Sequence, residues 1–373
     1  MENVRVNLAD RSYDIQIGAG NLADAGRFLA ERAQATHVVL VTDDNVHRPH
    51  AMRVAESLGE QDIEVEVIVV TPGEESKSLD VAASLWDGLL ELGADRRTVV
   101  AAVGGGVVGD LAGFIAATYA RGLRFFQMPT TLLAQVDSSV GGKVGINLSE
   151  AKNMLGAFHQ PLGVLVDTAA LATLPARQYR AGLAEVVKYG AVLDATLFEH
   201  LERNAPAIMR HDQDALIPVI ARCCRLKADV VEQDERDATG RRAVLNFGHT
   251  FGHAFETLSW RTASSPLAGA GTSGNTLLHG EAVSIGLVCA ARLAERLGRV
   301  DRQFTARLQA LLERFELPVA VPAFDSQAIL DAMMRDKKVE HGELQFVLPS
   351  GLGRAELVGG LSPNDLVAAM RRK

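Results

Sequence analysis

Residues Thr98 to Asp110 read TVVAAVGGGVVGD, and this stretch decides the fold of the chain. Thr98 to Val103 predicts a buried strand that runs directly into three glycines, and Val107 to Tyr119 predicts a helix. Gly104 to Asp110 fits G-x-G-x-x-G, in which a tight turn brings the amides of a helix N-terminus close to a pyrophosphate. Two interpretations stay open from the loop alone: a dinucleotide site, or a turn that only packs a helix onto a sheet.

Short apolar runs alternate with helical patterns on both sides of this unit. A hairpin is predicted from Val4 to Leu8 and from Tyr13 to Ile17. Further strands are predicted at Val38–Thr42, Glu64–Val70, Arg124–Met128 and Gly163–Val166, and helices at Pro49–Leu58 and Leu79–Leu92. Apolar strands that alternate with helices indicate a parallel sheet covered on both faces.

The pattern changes at about Pro175. Helical spacing dominates residues 176–201, 214–232, 246–258, 281–297 and 302–315, and Leu344 to Leu348 predicts a late strand. We therefore predict an α/β dinucleotide-binding domain over residues 1–175 and a mostly α-helical domain over residues 176–373, with a ligand cleft between them. Residues 261–276 are rich in Ala, Ser, Gly and Thr, which predicts a flexible surface loop.

Composition limits the class of protein. The 373 residues are 47% hydrophobic and 23% charged, as in a soluble globular chain of two domains. A net charge of −8 argues against nucleic-acid binding, although a local basic pocket can still bind an anion. Neither a signal-peptide core nor a membrane-spanning run is predicted. Cys223, Cys224 and Cys289 lack metal-type spacing and predict buried free thiols in a reducing cytoplasm.

Four residues suggest a metal centre. His249 and His253 are four residues apart at the start of a predicted helix and share one face. His279 and Glu185 provide further donors, and three His or carboxylate ligands with an open fourth position are typical of catalytic zinc. Thr250 stands where a zinc-protease motif requires Glu. The alternative is a pair of histidines on a helix face that binds no metal.

Other candidate residues are polar or basic. Asp137 to Asn147 is a glycine-rich polar segment with few charges, which is typical of a loop at a site. Asp43 ends an apolar run and is placed to bind ribose hydroxyls. The candidates for phosphate and carboxylate contacts are Lys143, Lys152, Lys188, Lys227, Arg242, Lys337 and Lys338.

Six segments resemble, in chain order, the successive signatures of the 3-dehydroquinate synthase family. They are Pro72–Lys77, Gly104–Asp110, Pro129–Lys143, Ala184–Gly190, Asn246–His253 and His279–Glu281. The resemblance covers nearly the whole chain, and the ordered set is specific although each motif alone is weak. It implies the fold of that family: an α/β NAD-binding domain followed by a mostly helical one.

The resemblance also implies the site residues. Glu185, His249 and His279 would hold Zn²⁺ or Co²⁺. NAD would be bound by Asp43, Asn45, Glu74, Lys77, Gly105, Gly106, Val107, Val108, Gly109, Asp110, Thr130, Thr131 and Thr173, with Lys143 and Lys152 nearby. Substrate would meet Asp137, Lys143, Lys152, Asn153, Lys188, Lys227, Arg242, Asn246, His253 and either Lys337 or Lys338. Arg121 would reach the phosphate from the neighbouring subunit of a homodimer.

The implied activity is a phosphate-eliminating cyclisation. The substrate would be 3-deoxy-D-arabino-heptulosonate 7-phosphate and the products 3-dehydroquinate and phosphate, in the shikimate pathway to chorismate and the aromatic amino acids. In the implied mechanism, NAD would transiently oxidise a carbon of the substrate, phosphate would be eliminated and the hydride would be returned. Opening of the sugar ring would then allow an internal aldol reaction to close the carbocycle.

Three alternatives stay open. A zinc- or iron-dependent polyol dehydrogenase, such as glycerol dehydrogenase, shares the two-domain plan but needs no phosphate-binding cluster. A sister cyclase, such as a deoxy-inosose or valiolone synthase, would act on another sugar phosphate. A non-enzymatic NAD- or metal-binding regulator could keep the fold. Two features depart from the family pattern: Gln178 replaces the usual Glu after Arg177, and the segment between His253 and His279 is long.

Overall fold

A computed structural model describes residues 1–148, 151–263, 276–334, 339–340 and 343–371. The chain forms two compact units. The first contains Met1–Pro175 and His211–Ala238, and the second contains Ala176–Arg210 and Thr239–Lys373. The predicted site residue Lys337, its neighbour Lys338 and residues 264–275 of the predicted loop lie outside the described residues.

The first unit alternates strands and helices. Its strands are β1 (Glu2–Val6), β2 (Tyr13–Gly18), β3 (His37–Asp43), β4 (Glu64–Val70), β5 (Val99–Gly104), β6 (Arg124–Pro129), β7 (Lys143–Leu148), β8 (Ala151–Phe158) and β9 (Gly163–Asp167). Its first helices are α1 (Ala25–Ala30), α2 (Met52–Gly59), α3 (Leu79–Glu91) and α4 (Gly106–Thr118). The strands and helices predicted before residue 130, and the strand at β9, are confirmed within a few residues.

Seven strands of the described chain form one sheet in the order β1-β2-β9-β6-β5-β3-β4. β1 pairs antiparallel with β2, and the other neighbours are parallel. Successive side chains of a strand face opposite sides, so Leu40 packs with Phe28 in one core and Val41 packs with Leu111 in the other. The predicted parallel sheet with two covered faces is confirmed.

The sheet has a topological switch point. β4 follows β3 on one side, whereas β5, β6 and β9 continue on the other, so the strand order reverses between β3 and β5. In open α/β sheets, ligands bind outside the carboxyl ends of the strands at such a reversal. The carboxyl end of β5 is Gly104, and that of β3 is Asp43.

β7 and β8 form a separate antiparallel hairpin. The prediction of a loop through Asn147 was therefore wrong from Lys143 onward. Val144 and Ile146 alternate on β7 and are buried in the core that contains α4. A Cβ atom at Gly113 of α4 would lie only 2.3 Å from Cγ1 of Val144, so glycine lets the hairpin pack closely on this helix.

The second unit is mostly helical. Its helices are α5 (Ala176–Val192), α6 (Ala195–Met209), α8 (His249–Ala263), α9 (His279–Arg296), α10 (Arg302–Arg314), α11 (Ser326–Met334) and α12 (Pro363–Met370). Its strands are β10 (Val339–Glu340), β11 (Glu343–Leu344), β12 (Phe346–Gly351) and β13 (Arg354–Val358). The predicted helix 176–201 is two helices, because Asp194 caps α6 by accepting the backbone N–H groups of Thr196 and Leu197.

Helix α7 (Gln213–Gln233) belongs to the first unit, although the sequence analysis assigned it to the second domain. Its C-terminal region is bonded to the N-terminal hairpin: Glu232 accepts the backbone N–H of Asn7 at 2.9 Å. No helix among the described residues is both long and apolar enough to cross a membrane.

Candidate active site

The glycine loop lies at the carboxyl edge of the sheet. A Cβ atom at Gly105 would lie 2.9 Å from Cγ2 of Thr131, and one at Gly109 would lie 2.9 Å from Oε1 of Gln127. A larger residue at either position would require the facing side chain to move, so glycine lets the loop and α4 lie close to β6 and the residues that follow it. Thr130 donates its backbone N–H to the Gly104 carbonyl at 2.9 Å, so the predicted cofactor residues of both strand ends lie together.

Asp43 occupies the other side of the switch point. Its Oδ1 accepts the backbone N–H of Asn45 at 2.9 Å, and burial raises the pKa of the Asp43 carboxyl group. A carboxylate at this strand end suits ribose hydroxyls. Thr173, also predicted to bind the cofactor, is exposed, and its Oγ1 lies 2.7 Å from Nε2 of His50.

Lys77 is a buried cation at the centre of a polar network whose other members are partly or fully exposed. Its Nζ donates to Oδ2 of Asp110 at 2.7 Å and to Oδ1 of Asn153 at 2.5 Å, and its side chain is only 4% exposed. Asn147 donates to Glu74 and accepts the backbone N–H of Asn153, both at 2.8 Å. Burial raises the pKa of Asp110, and Lys77 opposes that shift. The network joins predicted cofactor residues to a predicted substrate residue.

Two further lysines are paired with carboxylates in the first unit. Nζ of Lys227, on α7, lies 2.6 Å from Oδ1 of Asp137 and donates to the Asp137 carbonyl at 2.6 Å. Nζ of Lys143 lies 2.5 Å from Oδ2 of Asp237, a residue that the sequence analysis missed because it lies in a charged segment without a motif. Lys152 is exposed on β8.

Glu185, His249 and His279 converge in the second unit from α5, α8 and α9. Nε2 of His249 lies 3.4 Å from Oε1 of Glu185, and Nε2 of His279 lies 3.7 Å from the same oxygen. A tetrahedral zinc ion with bonds of about 2.1 Å separates its ligand atoms by about 3.4 Å. Neither Glu185 oxygen, both buried, has a hydrogen bond of normal geometry within the described chain. The donor set therefore fits a zinc-sized ion.

The charges around Glu185 suit a metal ligand. Burial alone would raise the pKa of Glu185, but Lys188, His249 and His279 hold it well below its usual range. Lys188 is itself buried and forms an ion pair with Glu185 one turn away on α5. Burial would lower the pKa of His279, but the carboxylates of Glu185 and Glu256 raise it to about 10. Glu185 is thus an anionic donor at neutral pH.

His253 lies beside this cluster. Its ring centroid is 5.4 Å from that of His249 and 5.9 Å from that of His279. Among the described residues, the ligand atoms of Glu185, His249 and His279 all lie within 4.8 Å of one another, and His253 is not part of that group. Arg242 and Asn246 lie in the short helical turn before α8, and Arg242 is buried.

Two contacts around His279 were not predicted from the sequence. Oε2 of Glu256 lies 3.0 Å from Nδ1 of His279. Arg177 donates to both carboxylate oxygens of Glu281 at 2.7 Å, which holds the first turn of α9. The spacing of Glu256, seven residues after His249 on one helix, was a signal that could have identified it. Gln178, where the family pattern has Glu, is exposed.

The three cysteines are free and buried, as predicted. Burial raises the pKa of both Cys224 and Cys289 to about 12. Because the thiolate is the reactive form, these side chains are unreactive near neutral pH.

Comparison with known proteins gives matches along the whole chain. Residues 67–181 match the 3-dehydroquinate synthase N-terminal family, and residues 182–339 match the 3-dehydroquinate synthase C-terminal family. A 3-dehydroquinate synthase of Desulforamulus reducens is 47% identical over 371 residues, with 99% of each chain covered.

The solved structures that share the fold include two sugar-phosphate cyclases. ValA, a 2-epi-5-epi-valiolone synthase of Streptomyces hygroscopicus with NAD⁺ and Zn²⁺ bound, has a TM-score of 0.85 and 29% identity, covering 98% of this chain and 97% of its own. A 2-deoxy-scyllo-inosose synthase complexed with carbaglucose-6-phosphate, NAD⁺ and Co²⁺ has a TM-score of 0.87 and 26% identity, covering 99% of both chains.

The fold is that of the sugar-phosphate cyclases, in which a parallel-sheet unit is combined with a helical one. Within that class, two matching domains and a relative 47% identical over nearly its full length show that the chain belongs to the 3-dehydroquinate synthase family. The predicted family and fold class are confirmed.

Proposed function

We propose that this chain is an NAD- and metal-dependent 3-dehydroquinate synthase. It converts 3-deoxy-D-arabino-heptulosonate 7-phosphate to 3-dehydroquinate and phosphate in aromatic amino-acid biosynthesis. The observation that carries the proposal is the cluster of Glu185, His249 and His279, spaced as three ligands of one ion. The identity of 47% to a 3-dehydroquinate synthase, against 29% and 26% to the sister cyclases, favours this substrate.

Glu185, His249 and His279 would hold Zn²⁺ or Co²⁺, the ions in the two structural neighbours. When bound, the ion would supply Lewis acidity toward adjacent substrate oxygens. Lys188 keeps Glu185 ionised through its buried ion pair, so the carboxylate remains an anionic donor. His253, next to the ligands, would hold a proton close to the reacting carbons.

The switch point of the sheet would bind NAD. The amides at the start of α4 would receive the pyrophosphate, because they have no partner within the helix and lie at the positive end of its dipole. Asp43 would accept hydrogen bonds from ribose hydroxyls. When bound, NAD would take up one hydride and return it, so that the reaction has no net redox change. The bonded pair Lys77 and Asp110 would hold the N-terminal part of α4, in which Asp110 is the fifth residue.

The remaining predicted residues would bind substrate. Lysine and arginine side chains suit the phosphate and carboxylate groups of this substrate. Cations that contact the departing phosphate stabilise its developing charge. Asp137 would orient Lys227 through their ion pair at 2.6 Å. The other proposed contacts are Lys143, Lys152, Asn153, Lys188, Arg242, Asn246 and Lys337.

The test is phosphate release from 3-deoxy-D-arabino-heptulosonate 7-phosphate at catalytic NAD, with and without a chelator. We expect release that the chelator abolishes, that added Zn²⁺ or Co²⁺ restores, and that leaves no net NADH. Release from another sugar phosphate alone would indicate a sister cyclase. Steady NADH formation from a polyol would indicate a dehydrogenase, and metal or NAD binding without any turnover would indicate a regulator.

We also propose a homodimer in which Arg121 crosses to the neighbouring site. Arg121 is exposed in a turn where it and Ala120 both have positive φ, 69° and 48°. Among the described strands β8 pairs only with β7, and it exposes Met154 and Phe158, at 50% and 43%. An unpaired strand edge with exposed apolar side chains pairs readily with another chain.

Subunit complementation tests the crossing. Arg121→Ala and Lys188→Ala variants should each be inactive alone, because each lacks one residue of every site. A mixed dimer contains one site with both residues, so co-refolded subunits should regain part of the wild-type activity. If Arg121 acts in its own subunit, mixing restores no activity.

The cytoplasmic location stays a prediction.

A further inference from the structure

Helices α8 and α9 cross closely beside the metal ligands. A Cβ atom at Gly286 of α9 would lie 2.1 Å from the Gly248 carbonyl oxygen, and one at Gly252 of α8 would lie 3.1 Å from the Ala282 carbonyl oxygen. Any larger residue would push the helices apart. The close crossing brings the side chains of α8 within reach of His279, the first residue of α9.

Glu256 makes use of this approach. It lies on the face of α8 that carries His249 and His253, seven and three residues earlier. Its Oε2 lies 3.0 Å from Nδ1 of His279, and its side chain is only 17% exposed. The His279 side chain is 33% exposed, and a charge-assisted hydrogen bond in such a partly buried place is stronger than one at the open surface.

The bond decides which ring nitrogen can bind a metal. Because a carboxylate can only accept, Nδ1 of His279 keeps its proton in the bond to Glu256. Nε2 is then the nitrogen that gives up its proton when a metal binds, and its lone pair becomes the ligand. That nitrogen faces Oε1 of Glu185 at 3.7 Å. A carboxylate on the far nitrogen of a ligating histidine fixes the tautomer and ring orientation and makes the ligand more basic.

We propose that Glu256 is a positioning residue of the metal centre, which orients His279 so that its Nε2 completes the site with Glu185 and His249. The inference rests on the proposed function, because it assumes that the cluster binds a metal. In this arrangement Glu256 acts through His279, because its carboxylate is not among the described donor atoms that lie within 4.8 Å of one another. His279 is thereby held from α8 through its side chain.

The test is metal affinity of the metal-depleted full-length protein, measured by competition with a chelator for Zn²⁺ and by the visible spectrum of added Co²⁺. Glu256→Ala should weaken binding by roughly 10–100-fold, the usual effect of losing such a partner. Glu256→Gln should weaken it less, because the amide oxygen still accepts the Nδ1 hydrogen bond. Glu295→Gln, at the other end of α9, is the matched control and should bind as the wild type does.

The outcomes separate this inference from the proposed function. If the wild type itself binds no metal, the proposed function fails. If the wild type binds metal and Glu256→Ala binds it equally well, only the positioning role is overturned. If both Glu256 variants lose the same metal affinity and the Co²⁺ spectrum shows a changed coordination number, Glu256 is a direct ligand and the positioning role is overturned. Thermal unfolding of the metal-free Gln variant should match the wild type.

Discussion

Nε2 of His249 lies 3.4 Å from Oε1 of Glu185, although the two residues belong to different helices and Glu185 is fully buried. This distance is close to one edge of a zinc-centred tetrahedron. Without an ion, the carboxylate depends on Lys188 and on the two histidines for compensation of its charge.

Glu185→Gln should therefore lose metal. The amide keeps the shape of the side chain but removes the negative charge, so metal affinity should fall by more than the roughly 10–100-fold that loss of a ligand's partner costs. Metal content by mass spectrometry after dialysis measures this. Glu199→Gln, an exposed change on α6, is the control. A fully metallated and active Glu185→Gln would exclude this residue as a ligand.

His253→Ala should separate catalysis from metal binding. Loss of a positioned proton carrier typically lowers turnover by about 10²–10⁴-fold, whereas the three ligands would remain in place. Turnover and bound metal should be measured on the same preparation. Parallel loss of metal and activity would show instead that His253 is a ligand.

Lys77→Met should destabilise the first unit. The change leaves the mostly buried carboxylate of Asp110 without its cation, and breaking a buried pair from one side typically costs about 3–5 kcal/mol. Asp110→Asn in the same chain should recover part of that loss, because no uncompensated charge remains. Denaturant unfolding of the single and double variants measures the interaction free energy between Lys77 and Asp110. Strictly additive changes in the free energy of unfolding would show that the two residues do not stabilise each other.

Acid should destabilise the protein through buried histidines. Burial lowers the pKa of His50 and of His159, and for His159 the bond to the Leu123 carbonyl offsets part of the shift. As pH falls below about 6.5, the unfolded chain binds protons before the folded chain does, so unfolding is favoured down to the folded-state pKa values. Above that pH window these histidines are neutral in both states, so they do not make the free energy of unfolding depend on pH.

The variant His50→Gln/His159→Gln removes both titrating groups. The unfolding midpoint of the wild type should fall between pH 7 and pH 5 more steeply than that of the variant. Parallel curves for the two proteins would show that other groups cause the acid sensitivity.

Local patterns predicted the elements well where one periodicity dominated. Glu64–Val70 forms the predicted strand, and the helix that begins at Leu79 ends one residue before its predicted end. The hairpin of β7 and β8 was missed because glycines and polar residues hide its pattern. β8 is almost wholly exposed, so it has no apolar alternation to read.

The parallel sheet, the glycine loop at the end of β5 and the shared helix face of His249 and His253 could be predicted from residue patterns, because each follows from the local spacing of residues along the chain. Which carboxylate meets those histidines depends on how α5, α8 and α9 pack, and that is set by close approaches such as Gly286 on Gly248. The tertiary structure therefore decided the partnership of Glu256 with His279 and the place of α7 in the first unit. Both arise from contacts between segments far apart in the chain, and no local pattern encodes such contacts.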